Sequence, residues 1–505
     1  MRFLLTTGRI TEHIVSDIAA RFDADVVVTG EVASFLQPKQ LSAILAEKIA
    51  SHRESEAQSS KMPLYDCIFV PGMCTASFAE VEAQFGIPIF RGPLHAADLA
   101  MILSYAAEGF EFSRTIPADN LLVIEREKKA YALLVSQEEN AKPLFYLSNL
   151  PIGGGTRIKV LAEIMDSHRA SNLQEVVVSY IASGADIIDL GFGFDATPAD
   201  VVRVLSEVTD VLENIRRDPQ NEFQKRPVAC AIDTQEPDLI AAALTFPCVN
   251  LVLSLHEGNM HCAPLLHSKG VAAVIIPGEA GLENNMKAAQ NAKVTCIADP
   301  VLHPIGSGIL PSIANIFETH TKYPEWPLFF GAGNVLELID ADSIGGVGIL
   351  AGIAHEARAV MVFVSEHSDK TRGCIAEMRR ATEMMALLGS RPYPKDLGLD
   401  LLVIKEKRAR REPPLMYTEM KDLAPHSKLV YDPKGNFRIG ISHEKIVVEK
   451  GGIAVSGEKW EDLYRTIEKN EWVSRLDHAA YLGKELYKAE LALRFKRSFE
   501  QDGAF

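Results

Sequence analysis

Short runs of apolar residues alternate with amphipathic stretches through the first 110 residues of the chain. Each run ends in glycine and leads into a helical pattern, which is typical of buried parallel strands covered by helices on both faces. We predict an open, doubly wound α/β sheet, Rossmann-like or flavodoxin-like, in an N-terminal domain over residues 1–145. The four predicted strands are RFLLTTG (2–8), ADVVVTG (24–30), DCIFVPG (66–72) and IPIFRG (87–92).

The stretch that follows this sheet contains two more apolar runs. NLLVIERE (120–127) and KAYALLVS (129–136) predict a hairpin or an extension of the sheet edge, and the polar residues 137–142 predict a linker. No G-x-G-x-x-G fingerprint occurs near the strand ends, so the pattern does not predict a dinucleotide site.

Eight further apolar runs, each followed by a helical pattern, occupy the middle of the chain. Eight β–α units over about 240 residues match a (β/α)₈ TIM barrel in number and length. A doubly wound sheet of eight strands is the structural alternative. We predict a barrel domain over residues 146–398, and its strands are 157–164, 185–191, 227–233, 248–255, 272–278, 294–300, 327–334 and 359–365.

The remaining residues, 399–505, predict a small C-terminal α+β domain. It begins with the basic cluster KEKRARR (405–411), which we interpret as an exposed linker because Pro413-Pro414 follow it and would stop a helix. The predicted strands are 431–442 and 445–456, and the predicted helices are 462–469 and 477–499.

Charge and cysteine content exclude several classes of protein. The 52 Lys and Arg residues against 67 Asp and Glu residues give a net charge of −15, which disfavours binding to nucleic acid or to anionic membranes. The 7 cysteines form no C-x-x-C pair, which is typical of free thiols in a reducing compartment. No apolar run reaches the ~20 residues of a membrane span, and the start lacks a signal-peptide core. A cytoplasmic protein is expected.

Polar residues near the predicted strand ends are the candidate chemistry, because barrel sites lie at the carboxyl ends of the strands. Asp and Asn side chains in an apolar interior need partners. An ionised carboxylate only accepts hydrogen bonds whereas an amide donates and accepts, so together they suit a flat heterocycle with amide and amidine groups. Cations after the last strand suit a phosphate. The candidates are Glu163, Asp189, Asp233, Asn250, Asp299, Asn334, His367, Lys370 and Arg372.

Each of these residues also has a purely structural interpretation. Asp233 stands where it could cap the following helix, and Asp189 could meet a neighbour in the barrel core. Lys370 and Arg372 could form an exposed first helical turn. Four histidines match no zinc spacing and are better interpreted as solvated loop residues; they are His256, His261, His267 and His303.

Four segments follow one another on successive predicted strands: GADIIDLGFGFDATP (184–198), CAIDTQEPDLIAAAL (230–244), VNLVLSL (249–255) and IADPVLHPIGSG (297–308). They resemble, in this order, the "GADIIDIG", "IDT", "IND" and "DPG" strands of dihydropteroate synthases. The resemblance covers 157–310 well and 327–385 loosely. The whole chain resembles the archaeal dihydropteroate synthase-related proteins, in which a pterin-binding barrel lies between an added N-terminal domain and a small C-terminal domain.

This resemblance implies a transferase of pterin biosynthesis. It would condense 6-hydroxymethyl-dihydropterin diphosphate with an arylamine, either p-aminobenzoate for folate or a ribofuranosylaminobenzene phosphate for tetrahydromethanopterin. Magnesium would assist near Glu163, and a homodimer is expected. The pterin would contact Asp233, Asn250 and Asp299, with Asp189 and Asn334, and the catalytic anion-binding group would be His367, Lys370 and Arg372.

Three departures from the synthase motifs keep other functions open. The first strand carries Glu163 and no Asn, the seventh ends in Gly333-Asn334 in place of Ser-Arg-Lys, and the Thr/Pro loop is rearranged around 195–198. A methyltransferase that uses a methylated tetrahydropterin and a corrinoid partner fits these changes, although the N-terminal domain has no D-x-H-x-x-G motif. A non-catalytic pterin-binding protein fits them as well.

Overall fold

A computed structural model provides the coordinates of the protein. The basic cluster 405–411 and Pro413-Pro414 lie outside the described residues, so their interpretation as a linker stays a prediction. No helix in the described part of the chain is long and apolar enough to span a membrane. The described residues are 1–55, 63–94, 96–217, 226–389, 393–395, 397–404, 416–421 and 430–503.

The chain divides into two compact units, one of Met1–Asn140 with Ala386–Glu419 and the other of Ala141–Met385 with Met420–Phe505. The first unit begins with nine regular elements. They are β1 (Phe3–Thr7), α1 (Glu12–Ala19), β2 (Ala24–Val28), α2 (Pro38–Ser55), β3 (Cys67–Val70), α3 (Ala79–Phe85), β4 (Ile89–Arg91), α4 (Leu99–Ala107) and α5 (Ala118–Asn140).

The predicted doubly wound sheet is confirmed. Its four strands are parallel and lie in the order β2-β1-β3-β4. Alternate side chains of the strands enter two apolar cores, because successive residues of a strand point to opposite faces. Phe3 and Leu5 pack with α1 and α4 on one face, and Leu4 and Ile68 pack with α2 and α3 on the other.

The predicted hairpin over 120–136 is wrong, because α5 is one helix of 23 residues. The helix also includes residues 137–140 of the predicted linker, and the two compact units divide directly after it, between Asn140 and Ala141. Its buried residues Leu122, Ala130 and Leu134 recur at helical spacing. The charged segment between the two apolar runs consists of good helix formers, and it continues the helix where we expected a turn.

The second unit contains an eight-stranded closed barrel, so the predicted TIM barrel is confirmed and the open-sheet alternative is excluded. A hairpin of β5 (Phe145–Leu147) and β6 (Leu150–Ile152) precedes it. The barrel order is β10-β11-β12-β13-β14-β7-β8-β9. Its strands are β7 (Lys159–Ile164), β8 (Ile187–Gly191), β9 (Ala229–Asp233), β10 (Val249–Leu255), β11 (Ala272–Ile275), β12 (Cys296–Ala298), β13 (Leu328–Phe330) and β14 (Ala359–Ser365).

Helices cover the outside of the barrel in the β–α alternation that the sequence predicts. At the amino-terminal end of the strands, Leu147 and Ile152 of the hairpin pack with Ile187, Ala229 and Val360, which closes that end with apolar side chains. The helices are α6 (Leu173–Ser183), α7 (Pro198–Arg217), α8 (Pro237–Ala243), α9 (Ala263–Lys269), α10 (Leu282–Asn291), α11 (Ile309–Lys322), α12 (Gly333–Leu336), α13 (Ser343–Glu356) and α14 (Cys374–Ala386).

The C-terminal residues form a three-stranded antiparallel sheet and two helices. The second predicted strand is two strands, because Gly451 and Gly452 both have positive φ and form the tight turn of a hairpin. Two helices pack on one face of this sheet around Ile446 and Leu486. The elements are β15 (Arg438–Ser442), β16 (Lys445–Lys450), β17 (Ile453–Gly457), α15 (Trp460–Lys469) and α16 (Leu476–Arg494).

Candidate functional site

A cavity of about 280 Å³ lies at the carboxyl ends of β7, β8 and β9. This is the end of a barrel at which the loops after the strands build binding sites. Its lining combines carboxyl side chains with two aromatic residues. The residues that line it are Glu163, Met165, Asp166, Gly191, Phe192, Gly193, Phe194, Asp233, Thr234, Gln235 and Glu236.

Neighbouring strands bring three of the predicted residues together. Glu163 on β7 stands beside Asp189 on β8, and Gly191 two residues further along β8 stands beside Asp233 on β9. A Cβ atom at Gly191 would lie 2.9 Å from Oε1 of Glu163, so the carboxyl group of Glu163 packs directly against this glycine and would have to shift to admit a larger residue. Asp299 directly follows β12 on the other side of the barrel. We call Glu163, Asp189, Asp233 and Asp299 the carboxyl cluster.

Burial raises the pKa of every member of the carboxyl cluster, and neighbouring carboxyl charges add to this effect for Glu163, Asp189 and Asp299. Asp189 is fully buried, and neither of its oxygens has a hydrogen-bond partner among the described residues. Its burial, followed by the charges of Asp233 and Glu163, raises its pKa well above the usual range. Burial raises the pKa of Asp233 to about 6. Burial, with the neighbouring Asp233, also raises the pKa of Glu163 to about 7. Members of the cluster therefore take up protons at a higher pH than ordinary carboxyl groups do, and a protonated member can donate as well as accept hydrogen bonds.

The pKa of Asp299 is also raised, although one hydrogen bond acts in the opposite direction. The backbone N–H of Val301 donates to Oδ1 of Asp299 at 2.8 Å, which by itself would lower the pKa of this carboxyl. Burial outweighs that hydrogen bond and raises the pKa of Asp299 to about 7.

Two arginines of the barrel form ion pairs at the amino-terminal end of β8, away from the carboxyl cluster. Asp186, at the start of β8, accepts hydrogen bonds from Arg157 at 2.7 and 2.8 Å and from Arg379 at 2.9 Å. Although Asp186 is buried, these guanidinium groups hold its pKa well below the usual range. Asp186 thus has a structural role at the closed end of the barrel. It is buried like Asp189, but arginines compensate its charge, whereas Asp189 forms no ion pair with Lys or Arg in the described part of the chain.

The interpretation of Asp233 as a helix cap is wrong. Helix α8 begins at Pro237, its N-cap residue is Glu236, and no side chain caps it. The backbone N–H of Glu236 instead donates to Oγ1 of Thr234 at 3.2 Å. The Asp233 carboxyl is left to face the cavity.

Asn250 does not lie with the other predicted pterin contacts. It is near the start of β10, where Val249 stands beside Cys230, whereas Leu253 is the residue beside Asp233. The strand register shifts next to Asn250, and its Oδ1 accepts the N–H of Cys230 at 3.2 Å. The oxygen of this half-buried amide is therefore engaged by the neighbouring strand, near the amino-terminal end of β10 and away from the cavity. By this register the polar residue of β10 nearest the mouth is Ser254, which the sequence analysis missed.

Asn334, the remaining predicted pterin contact, and the nearby Glu337 hold loops together at the mouth. Nδ2 of Asn334 donates to the carbonyl of Leu302 at 3.0 Å, which joins the loops after β12 and β13. Glu337 accepts hydrogen bonds from the hydroxyls of Ser365, Ser368 and Thr371 at 2.6 to 3.0 Å. These contacts anchor the segment after β14.

The predicted cationic group lies on this anchored segment. The N–H of His367 donates to Oε1 of Glu337 at 3.0 Å, and Nζ of Lys370 lies 2.9 Å from Oδ1 of Asp340. The side chains of His367 and Arg372 are exposed. Because β14 pairs with β7, the segment is on the Glu163 side of the mouth, but none of these three cations is among the described residues that line the cavity.

An aromatic loop after β8 borders the cavity, and the sequence analysis did not assign it a role. Phe194 is fully exposed, whereas Phe192 is buried and stacks on His168 with ring centroids 6.4 Å apart. Neither ring nitrogen of His168 makes a hydrogen bond within the described part of the chain, although Nε2 lies 3.3 Å from Oδ1 of Asp195. An exposed Phe beside buried carboxyl groups provides an apolar surface for the face of a flat ligand.

The described residues contain no group of three or more His, Cys, Asp or Glu side chains that could hold a metal ion. A divalent cation at this mouth would have to share its coordination with the phosphate groups of a ligand, as Mg²⁺ commonly does. Glu163 is the predicted ligand that faces the cavity.

Comparisons with known proteins give matches of three kinds. Residues 431–502 match a family model described as PterinBD-DUF4346. The uncharacterized protein MJ0107 of Methanocaldococcus jannaschii is 29% identical over 540 residues, which cover 99% of this chain and 98% of that protein. The structures of Mycobacterium tuberculosis Rv1207 (18% identity, TM-score 0.35, 47% of this chain and 95% of that chain) and of dihydropteroate synthase from Thermus thermophilus (20%, 0.35, 45% and 92%) are also similar.

Proposed function

We propose that the barrel mouth binds a pterin ring and that the protein is a dihydropteroate synthase-like transferase. The observation that carries this proposal is the carboxyl cluster: in the described part of the chain, none of its four members forms an ion pair with Lys or Arg. Such a group is costly to bury unless a ligand supplies hydrogen bonds to it.

A pterin ring has the complementary chemistry. Its ring N–H and exocyclic amino groups donate hydrogen bonds to ionised carboxyl groups such as Asp233 and Asp299. Its carbonyl oxygen and ring nitrogens accept hydrogen bonds from a protonated carboxyl, the form that burial favours for Asp189. Phe194 covers one face of the ring. A family model whose description contains the term PterinBD matches residues 431–502; this match lies in the C-terminal domain, so it agrees with a pterin ligand for the protein and does not bear on the barrel mouth itself.

The proposed reaction joins a dihydropterin diphosphate to an arylamine. The bond between the exocyclic methylene carbon and the diphosphate oxygen breaks, and the electron pair leaves with diphosphate. The amine nitrogen then bonds to the same carbon and releases its proton to solvent. The acceptor amine is p-aminobenzoate or a ribofuranosylaminobenzene phosphate. The chain contributes by orienting the ring in the carboxyl cluster and by keeping the methylene group at the open end of the cavity.

Magnesium and the cationic group have proposed roles at the phosphate end. Glu163 would hold Mg²⁺ together with the diphosphate, and the ion would neutralise charge on the leaving group. His367, Lys370 and Arg372 would bind the diphosphate or the phosphate of the amine. Lys370 would have to exchange its contact with Asp340 for the ligand.

Calorimetric titration with 6-hydroxymethyl-7,8-dihydropterin diphosphate, with and without Mg²⁺, tests this proposal. We expect saturable binding that tightens with Mg²⁺, followed by formation of a dihydropteroate product when the arylamine is added. No binding of the pterin, with or without Mg²⁺, would refute it. The matched variant is Asp233→Asn, and Asp210→Asn on the exposed face of α7 is the control.

A second candidate is methyl transfer from a methylated tetrahydropterin, with a corrinoid protein as the partner. The observation that favours it is the position of the three cations outside the cavity lining, because methyl transfer needs no diphosphate site. Binding of the bare pterin that is indifferent to Mg²⁺, with methyl transfer to a corrinoid, would support it. Tight binding without turnover in either assay would support a non-catalytic pterin-binding protein.

A further inference from the structure

A second cavity lies within the N-terminal sheet domain, and the proposed function gives it no role. Its volume is about 320 Å³, and it is bounded by the loops after β1, β2, β3 and β4. Helix α1 leaves β1 on one face of the sheet and α3 leaves β3 on the other, so the adjacent strands β1 and β3 form the topological switch point. Ligands of open α/β sheets bind in the crevice at this point.

Close loop packing builds the walls of the cavity. A Cβ atom at Gly8 would lie 2.6 Å from the carbonyl oxygen of Glu31, and one at Gly72 would lie 2.6 Å from the carbonyl oxygen of Gly92. Both contacts are with backbone, so any larger residue would push the loops apart. The two glycines at the ends of the first and third strands therefore set the shape of this cavity.

The interior of the cavity is apolar with hydroxyl groups on one side. Val15, Phe69 and Leu99 contribute buried apolar surface. Thr6, Thr7 and Thr11 line the side near β1; Thr7 is 2% exposed, and its hydroxyl lies 2.9 Å from that of Thr11. Each threonine hydroxyl can donate and accept, so these side chains can exchange mutual contacts for contacts with a ligand.

The rim of the cavity is apolar as well. Ile10, Val32 and Met73 line it, although they are 52%, 46% and 63% exposed. Exposed apolar side chains that gather at one opening are typical of a binding site. The one ionic contact at the rim joins Glu31 to Arg9, both of them exposed, among the residues that the structure describes.

The backbone argues against a phosphate ligand. The N–H of Thr11 donates to the carbonyl of Gly8, and the N–H of Gly72 donates to the carbonyl of Pro93. These loop amides are used inside the fold, whereas phosphate-binding loops leave such groups free. No Lys or Arg is among the described residues that line the cavity.

We propose that this cavity is a binding site for an uncharged aromatic molecule of one or two fused rings with a hydrogen-bonding group. The ring lies on Phe69 and Leu99, and its polar group contacts the threonine hydroxyls. A volume near 300 Å³ is at the lower end of small-molecule sites, which agrees with a ligand of this size. The proposal does not depend on what the barrel binds.

The test is ligand-observed NMR titration of the full-length protein with indole, whose N–H donates, and with quinoxaline, whose nitrogens accept. We expect saturable binding of at least one probe. Val32→Trp, which fills the opening from an exposed position, should weaken it at least ~10-fold. Thr11→Val, which keeps the side-chain shape, should weaken it roughly 3- to 10-fold by removing one hydroxyl.

The matched control is Val123→Trp, which adds the same side chain at a 62% exposed position of α5 outside the cavity. It should leave probe binding unchanged. The proposal is overturned if neither probe binds, if binding to Val32→Trp equals that of the unmodified protein, or if inorganic phosphate competes with the aromatic probe. Circular dichroism of each variant verifies that the fold is retained.

Discussion

Replacing Asp299 with Asn should stabilise the ligand-free protein and weaken pterin binding at the same time. The substitution keeps the side-chain shape, and Oδ1 of Asn can still accept the N–H of Val301, which now lies at 2.8 Å. What it removes is a carboxyl group that burial holds at a raised pKa. A residue kept for binding is expected to cost stability in this way.

The size of the stabilisation follows from the pKa. An acid whose pKa is raised from 3.8 to about 7 by folding binds more protons in the folded state between these pH values, so the free energy of unfolding falls as pH rises through that window. Below about pH 4 the acid costs nothing. At 1.36 kcal/mol per unit, the full shift corresponds to about 4 kcal/mol. Because the side chain is only half-buried, we expect about 2 to 4 kcal/mol at pH 8.

Urea unfolding of the full chain at pH 4.5, 6 and 8, followed by circular dichroism, measures this effect. The difference in unfolding free energy between Asp299→Asn and the unmodified protein should grow with pH. Asp210→Asn, on the exposed face of α7, should show no such trend. Calorimetry with 6-hydroxymethyl-7,8-dihydropterin should show that Asp299→Asn binds more weakly by ~1–3 kcal/mol.

Two results would refute this reasoning. A variant that is no more stable than the unmodified protein at pH 8 would show that the Asp299 carboxyl is already compensated in the folded state. A variant that is more stable but binds the pterin equally well would show that the carboxyl is buried for another reason.

Three further substitutions have expected outcomes of different kinds. Asp186→Asn should lower the free energy of unfolding by ~3–5 kcal/mol, because it removes the negative charge that compensates the buried guanidinium group of Arg157; an unchanged urea midpoint would contradict this. Glu337→Gln should speed hydrogen exchange of the segment after β14, since the carboxylate anchors four donors there; unaltered exchange would assign the anchoring to other contacts. Phe194→Ala should leave stability within ~0.5 kcal/mol, because the side chain is fully exposed, yet weaken pterin binding several-fold; the matched control Phe317→Ala, 61% exposed on α11, should change neither.

The strands of this fold could be predicted because their apolar runs are buried on both faces. The eight barrel strands and the four strands of the N-terminal sheet were all recognisable from runs of four to eight apolar residues. Helix α5 could not be recognised in this way, because its two apolar runs have the length of strands. Its helical spacing is seen only in which residues are buried, namely Leu122, Ala130 and Leu134. The C-terminal sheet has one strand more than predicted, because Gly451 and Gly452 at positive φ reverse the chain between β16 and β17.

The candidate site could be predicted only as far as strand ends define it. Glu163, Asp189 and Asp233 come together because parallel strands end at one edge. The separate position of Asn250 could not be predicted, because a sequence does not show which end of a strand faces the site or that a register shift offers the N–H of Cys230 as a partner. The exposure of Phe194 could not be predicted, because it depends on the path of the loop after β8 and loops have no regular pattern of apolar residues.

The central claim is that the carboxyl cluster holds a pterin ring, and one calorimetric comparison tests it most directly. The full-length protein, Asp233→Asn and Asp210→Asn are each titrated with 6-hydroxymethyl-7,8-dihydropterin at pH 7. We expect saturable binding to the unmodified protein and to Asp210→Asn, and binding at least ~10-fold weaker in Asp233→Asn. Equal affinity in all three proteins, or binding in none, would contradict it.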